Sequence, residues 1–323
     1  MKTYRPPFHI TNQIMQLVAK IEFFLGTMQA SGNSKVPIKL RKDNQIKTIH
    51  HSLAIEGNTL STAQITALVQ GKKIVGPRNQ ILEVQNAIDV YDKISLFKSY
   101  SENDFLKAHK SLLSQLVQQA GSYRKTSVGV LKGTHISHVA TQAKFIPEQM
   151  KNLFLFVKND KETHPIIKAC VFHYELEFIH PFTDGNGRMG RLWQQVILKD
   201  YSNIFEFISV ETAIHDSQKK YYQVLETCDK KGDSTDFIEF SLNIILKTLS
   251  DFSDVYKPVR PTTEQRLHMA IEEFASGWFG RQDYMKIHKT ISTAQASRDL
   301  KTGIENRLLI KKGDKALALY KKK

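Results

Sequence analysis

His180-Pro-Phe-Thr-Asp-Gly-Asn-Gly-Arg-Met-Gly-Arg191 joins two apolar helical runs and holds the densest cluster of reactive side chains in the chain. Pro165 opens the first run, which continues through Phe178. Pro181 then bars helical geometry at His180 and offers no N–H, so the helix ends there. The second run spans about Arg188 to Lys199. Between them, Gly185 and Gly187 permit positive φ and close backbone approach, so successive N–H groups can converge on an oxyanion at a helix N-terminus. Arg188 and Arg191 are three apart, on one helix face, where two guanidinium forks can grip phosphate oxygens. Asp184 suits Mg²⁺, an ion that takes one or two carboxylates together with waters and substrate phosphates. His180 is a general base whose natural pKa lies near neutrality. These parts describe phosphoryl or nucleotidyl transfer from a nucleoside triphosphate, without the GxxxxGK(S/T) loop of P-loop proteins.

Outward from this stretch the chain reads as mainly helical. Ile10–Leu25 is an amphipathic helix that Gly26 can end, and Thr48–Ile55 is a short helix stopped at Gly57-Asn58. Ser61 and Gln64 form a capping box that opens a helix running to Gly71. Helices follow at Gln80–Phe97 and Phe105–Leu116. Gly121–Phe145 loses the helical period, with Val128 and Val130 alternating, and reads as a β-hairpin flap. Pro147 opens another helix, and two more are expected at Ser217–Cys228 and Thr235–Leu249. Pro258 and Pro261 mark a domain boundary, after which three helices (Glu264–Phe274, Asp283–Ile287, Thr293–Lys301) lead to two strands around Lys312-Gly313-Asp314.

The 323 residues are enough for about two domains, and 41% hydrophobic with 24% charged residues excludes disordered, collagenous and disulfide-rich classes. Cys170 and Cys228 stand apart, outside any zinc spacing, as in a reducing compartment. No secretory leader follows Lys2 and no run reaches membrane-spanning length, so a cytoplasmic protein with no membrane contact is expected. The net charge of +14 points to phosphate-bearing ligands, nucleic acid or acidic protein surfaces.

His180–Arg191 matches every specified position of HxFx(D/E)GNGRxxR, and the chain thereby resembles the Fic family. The likeness covers roughly residues 1 to 250 and includes Gly121-Ser-Tyr-Arg124 ahead of the flap. It implies a Fic helical core with a small hairpin flap, and transfer of AMP from Mg·ATP to a hydroxyl of a target protein, or of the chain itself, with release of pyrophosphate. His180 would be the catalytic base and Asp184 the Mg²⁺ ligand, while Phe182 packs the loop. Gly185, Asn186, Gly187, Arg188, Met189, Gly190 and Arg191 would bind the nucleotide, with Tyr222 beside the adenine. Ser52-Leu-Ala-Ile-Glu56-Gly57 fits the family's inhibitory pattern (S/T)xxxE(G/N), which implies that Glu56 occupies the Arg191 fork and misaligns ATP. The flap has His138-Val-Ala-Thr-Gln142 where many relatives carry Pro-Pro, a departure that bears on target choice.

From about residue 262 the chain resembles a winged helix-turn-helix domain, with Thr293–Leu300 as recognition helix and Lys311–Lys315 as wing. Residues 264–323 hold 13 basic and 7 acidic side chains. Outward candidates for DNA are Gln295, Arg298, Lys301, Lys311, Lys312 and Lys315, and a protein-contacting role for the same surface stands beside DNA binding. The organisation expected is an N-terminal helical region (1–100) carrying the inhibitory helix, a catalytic core (101–252) and the winged helix (262–323), with homo-oligomerisation possible by analogy with the family. Two rival readings remain open: a DNA-binding regulator with a nucleotide-sensing site, and a Fic enzyme that removes AMP or transfers another phosphate-containing group.

Overall fold

The computed structural model describes residues 4–30, 38–126, 129–132, 135–255, 261–275, 277–289, 291–314 and 317–323. Val128, Pro258 and Lys315, which entered the expectations above, lie outside the described residues. The chain divides into two compact units, 1–256 and 257–323.

Among its described residues the first unit is helical apart from one hairpin. Helix α1 (Asn12–Ala30) runs past Gly26, where the sequence suggested an end, because Leu25 and Met28 on either side are buried. An interior glycine costs about 1 kcal/mol, less than two buried apolar side chains return. Helix α2 (Ile38–Ile55) is ten residues longer at its start than its apolar pattern indicated, since Asn44 and Thr48 occupy buried positions that interrupt that pattern. Ser61 caps α3 (Thr62–Val69) in a reciprocal box with Gln64. Helix α4 (Arg78–Tyr91) gives way to a 3₁₀ turn at Ile94–Leu96, and Ser101 caps α5 (Glu102–Leu112). Strands β1 (Gly129–Lys132) and β2 (His135–Val139) form an antiparallel hairpin with an irregularity between Val130 and Leu131.

Helices α6 (Ile146–Asn159), α7 (Pro165–Ile179) and α8 (Asn186–Tyr201) form the centre. Every residue of α7 from Ile166 to Leu176 is buried, so this helix is enclosed on all sides and shows no amphipathic period. Phe105, Phe154, Phe172, Phe182 and Trp193 pack there, with Phe105 lying 5.4 Å from Phe182 and 5.1 Å from Trp193 between ring centroids. Helix α9 (Val210–Asp216), α10 (Gln218–Lys231) and α11 (Thr235–Val255) complete the unit. The seven-residue α9 is too short to show a period of its own.

The second unit has its own core of Leu267, Ala270, Phe279, Tyr284, Ala296, Leu300 and Leu309. Helices α12 (Thr263–Phe274), α13 (Arg281–Ile287) and α14 (Thr293–Glu305) accompany a three-stranded antiparallel sheet of order β3-β5-β4. Strand β3 (Phe279–Gly280) is only two residues long and left no sequence signal; β4 is Leu309–Lys312 and β5 is Leu319–Lys322. Asp299 is fully buried, and Arg266, Gln295, Thr263 and Tyr284 donate hydrogen bonds to its carboxylate. Those donors overcome the cost of burial and hold the Asp299 carboxyl at about 2.

Candidate active site

The loop between α7 and α8 is built by three braces. Helix α7 ends with His180 in the left-handed region (φ 51°, ψ 60°), and Pro181 disfavours the right-handed helical alternative there. Arg124, 2% exposed, satisfies the orphaned end of that helix: its Nε donates to His180 O at 2.7 Å and its Nη2 to Ile179 O at 3.4 Å. The same guanidinium donates to Thr126 O and Thr141 O, at the two roots of the hairpin. Asn186 supplies the second brace, since its side chain accepts from Phe182 N and donates to Phe182 O, both at 2.9 Å. His109 supplies the third. Gly121 N donates to its Nδ1 at 2.8 Å, which requires the proton on Nε2, where it donates to Asp184 O at 3.0 Å. Its ring lies flat on Phe182, 3.6 Å between centroids. Burial pushes the His109 imidazole down to about 4, so it serves as a neutral strut.

Helix α8 begins at Gly185 (φ 84°), with no side chain capping its first turn. A methyl group on Gly185 would fall 2.8 Å from Leu113 Cδ2, so both the dihedral and the space demand glycine. On Gly187 it would fall 2.4 Å from Glu56 Oε1 and 3.1 Å from Arg191 Nη1. The absent side chain at 187 is therefore the room in which a carboxylate meets a guanidinium.

Arg191 is buried, with 1% of its side chain exposed. Its Nη2 donates to Glu56 Oε1 at 2.8 Å and to Ser52 O at 2.9 Å, and its Nε donates to Ser52 Oγ at 3.2 Å. Burial opposes its charge, but Glu56, Tyr221 and Glu177 more than compensate and hold the proton above the ordinary arginine value. Arg188 is held at Nη2 by Asp184 (2.8 Å) and at Nη1 by Glu83 (3.1 Å), leaving its buried Nε without a hydrogen-bond partner among the described residues. Asp184 is 55% exposed and makes its contacts through Oδ1, with Arg188 and with Gly185 N. A single exposed carboxylate at a helix N-terminus fits the donor set that Mg²⁺ takes with waters and phosphates. Among the described residues no cluster of three or more His, Cys, Asp or Glu is placed to hold a metal by protein ligands alone.

Beneath the forks runs a polar network. His173 Nδ1 donates to Gln194 Oε1 at 2.8 Å, which leaves its Nε2 to accept from Tyr221 OH at 3.1 Å, and Tyr221 OH lies 3.4 Å from Glu177 Oε1. Burial and the neighbouring Glu56 push the Glu177 carboxyl up to about 7, while burial pushes His173 down to about 3. Tyr221 is buried in this network, and Tyr222, its ring 5.2 Å away, is partly exposed and lies within the field of Glu56.

The structure thus joins Asp184 to Arg188 and to Gly185 N, and brings Ser52 and Glu56 to Arg191 beside Gly187, in the stretch that follows His180. Three further residues of the expected nucleotide set make contacts within the protein. The Asn186 side chain is consumed within the loop. Met189 is fully buried and its N–H is spent on Gly185 O. Gly190 lies under α7, where a Cβ would meet His173 Cδ2 at 2.7 Å, so its role is to let the two helices approach. Arg124, His109, Glu83 and Glu177 were not assigned roles from sequence. The one available signal was the Gly121-Ser-Tyr-Arg124 stretch, which drew attention to Arg124 without giving it a role; no local pattern tied the other three to the site.

Residues 99–198 match the model of the Fic/DOC family. The protein adenylyltransferase Fic of Culex quinquefasciatus is 28% identical over 272 residues, which is 80% of this chain and 52% of that protein. That of Nematostella vectensis is 32% identical over 221 residues, 65% of this chain and 49% of the relative. The chain spans about half the length of these curated relatives. Fic-1 of Caenorhabditis elegans, at 21% identity, shares the fold over 75% of this chain with a TM-score of 0.59. A crystal structure of a Fic family protein from Desulfovibrio desulfuricans superposes with a TM-score of 0.75 and 34% identity over 99% of this chain and 98% of that one. With a likeness of that depth running end to end, and the motif loop built as described, the chain belongs to the Fic/DOC family.

Proposed function

We propose that this chain is an autoinhibited protein adenylyltransferase, moving AMP from ATP to a hydroxyl of a target protein or of itself. The observation that carries the reading is the α7–α8 loop, which has an imidazole at one end, uncapped helix amides in the middle and two guanidinia at the other. The curated relatives are named for this activity. The first-turn amides of α8, at Asn186, Gly187 and Arg188, would face phosphate oxygens, and Arg188 and Arg191 the outer phosphates. His180 would take the acceptor's proton as its oxygen attacks the α-phosphorus in line, with pyrophosphate leaving. Asp184 would hold Mg²⁺, which neutralises phosphate charge when bound. Tyr222 would lie beside the adenine. Catalysis here is positioning and charge neutralisation, so the braces at Arg124, Asn186 and His109 matter as much as the base.

Glu56 would inhibit by occupying the fork that the γ-phosphate needs. Incubation of the full chain with α-labelled ATP and lysate tests both claims. Wild type should label weakly, Glu56→Gly at least about tenfold more strongly, equivalent to about 1.4 kcal/mol, and His180→Ala not at all. Equal labelling by wild type and Glu56→Gly refutes the inhibition; labelling by His180→Ala refutes the base.

The order α12-β3-α13-α14-β4-β5 supports a second proposal, that residues 262–323 are a winged helix with α14 as recognition helix. Arg298, Lys301 and Lys312 are exposed there, Arg298 donating to Gln295 Oε1 and Lys301 lying 3.7 Å from Glu305, while Gln295 Nε2 is tied to Asp299 and Lys311 to Asp314. Duplex DNA bound through this unit would show an affinity falling steeply with salt, and Arg298→Ala would flatten that slope by about one. Salt-independent or absent binding would leave protein contact as the role of this surface.

A further inference from the structure

Each guanidinium fork of the site is met by a carboxylate from outside the loop. Glu56 Oε1 lies 2.8 Å from Arg191, and Glu83 Oε1, on α4, lies 3.1 Å from Arg188. With Asp184 on the other arm of Arg188, two cations face three carboxylates before any ligand arrives. A pocket in that state is a poor host for a polyanion, because the carboxylates outnumber the cations and the Glu83–Arg188 contact is largely shielded from water, where screening is weaker.

Glu83 is also joined to the turn that bears Glu56. Asn58, two residues beyond Glu56, donates its Nδ2 to Glu83 Oε2 at 2.8 Å and to Gln80 O at 3.2 Å, while its Oδ1 accepts from Leu60 N. Thr59 adds two bonds from its N and Oγ1 to Gln80 Oε1. One carboxylate therefore holds Arg188, in the first turn of α8, through one oxygen and the turn that follows Glu56 through the other. Asn58 is 8% exposed, the Glu83 side chain 24% and the Arg188 side chain 6%, so these bonds are largely shielded from water.

We propose that Glu83 is a specificity-determining residue of the nucleotide site: it occupies Arg188 as Glu56 occupies Arg191, and together, linked through Asn58, they favour short phosphate chains over triphosphates. This rests on the nucleotide-binding reading above. A monophosphate needs only the amides of the first turn of α8. Each further phosphate adds charge and needs a fork, and the forks are taken. Freeing Arg191 alone opens half of the site.

The test is calorimetric titration of the full chain with Mg·ATP and, separately, with AMP, using wild type, Glu56→Gly, Glu83→Gln and Glu56→Gly/Glu83→Gln. Glutamine keeps the shape of Glu83 and an acceptor for Asn58 but removes the charge. The ratio of ATP to AMP affinity should rise about threefold or more with Glu83→Gln, in both the wild-type and Glu56→Gly backgrounds, with AMP affinity held within about twofold. A ratio that stays constant or falls overturns the proposal and makes Glu83 an orienting partner that Arg188 needs. Absence of binding by all four proteins overturns the nucleotide reading, and the proposal with it. Asn58→Ala, which cuts the link without touching the charge at Arg188, should raise the ratio by a smaller amount even if Glu83→Gln folds poorly. An unchanged ratio in Asn58→Ala refutes the coupling between the two carboxylates.

Discussion

Glu177 shows how burial turns an ordinary side chain into a titrating one. Its carboxyl lies against Tyr221 and His173, with Arg191, Glu56 and Asp229 in its field, and burial and Glu56 raise it to about 7. In the unfolded chain a glutamate ionises at about 4.3. Below that pH both states are protonated and the group has no effect on stability. Between about 4.3 and 7 only the unfolded chain ionises, so the native state loses ground as pH rises. Above 7 both are ionised and the loss is complete. Glu177→Gln, which cannot ionise, should therefore melt progressively higher than wild type as pH climbs from 4 to 7, with a constant gap from 7 to 9. A gap that is flat across the whole range sinks this assignment. None of this was legible in the sequence. Glu177 reads there as one of several polar residues in an apolar run, beside Lys168, His173 and Glu175, and its neighbours Glu56, Tyr221 and Arg191 come from three other elements. By contrast His180, Asp184 and Arg191 stood out as candidates because the stretch that joins them is continuous, and the Glu56–Arg191 contact because the resemblance to the Fic family pairs the two motifs that carry them.

At the scale of elements, what the sequence revealed depended on whether local chemistry or tertiary packing sets an element's bounds. Ser61 and Gln64 lie within one turn of each other and form their box as written. Ser292 likewise caps α14 through Gln295 N. Helix α1 is the opposite case: Gly26 is a competent stop, and only the burial of Met28 carries the helix on to Ala30. Helix α2 begins ten residues before its apolar pattern, because Asn44 is buried on a bond to Phe207 O that no local rule anticipates. The Gly26 reading has a direct check. A Cβ at Gly26 would meet nothing within 4 Å. Gly26→Ala should thus stabilise the protein by about 0.5–1 kcal/mol, through helix propensity and a less flexible unfolded chain. A lower midpoint in urea for Gly26→Ala would mean that the glycine relieves a strain at the end of α1.

For the whole molecule, the consequential fact is that two cores serve two units. The core of 1–256 contains the candidate site, and that of 257–323 contains Leu300 and Leu309 around the Asp299 network. The +14 charge follows the same division. Residues 264–323 carry 13 basic and 7 acidic side chains, so nearly half of the excess lies outside the unit that holds Arg188 and Arg191. Separate cores imply separate stabilities, and a single unfolding free energy would not describe this chain. Leu300 is fully buried in the small unit, and truncating such a leucine costs about 2–5 kcal/mol. A unit of some 65 residues has little stability to spare against that loss. In calorimetry Leu300→Ala should abolish or sharply lower one transition and leave the other in place, with labelling by Glu56→Gly/Leu300→Ala matching that of Glu56→Gly. A single transition that shifts as a whole would show that the two units stabilise one another, and a loss of labelling would show that the site depends on the second unit.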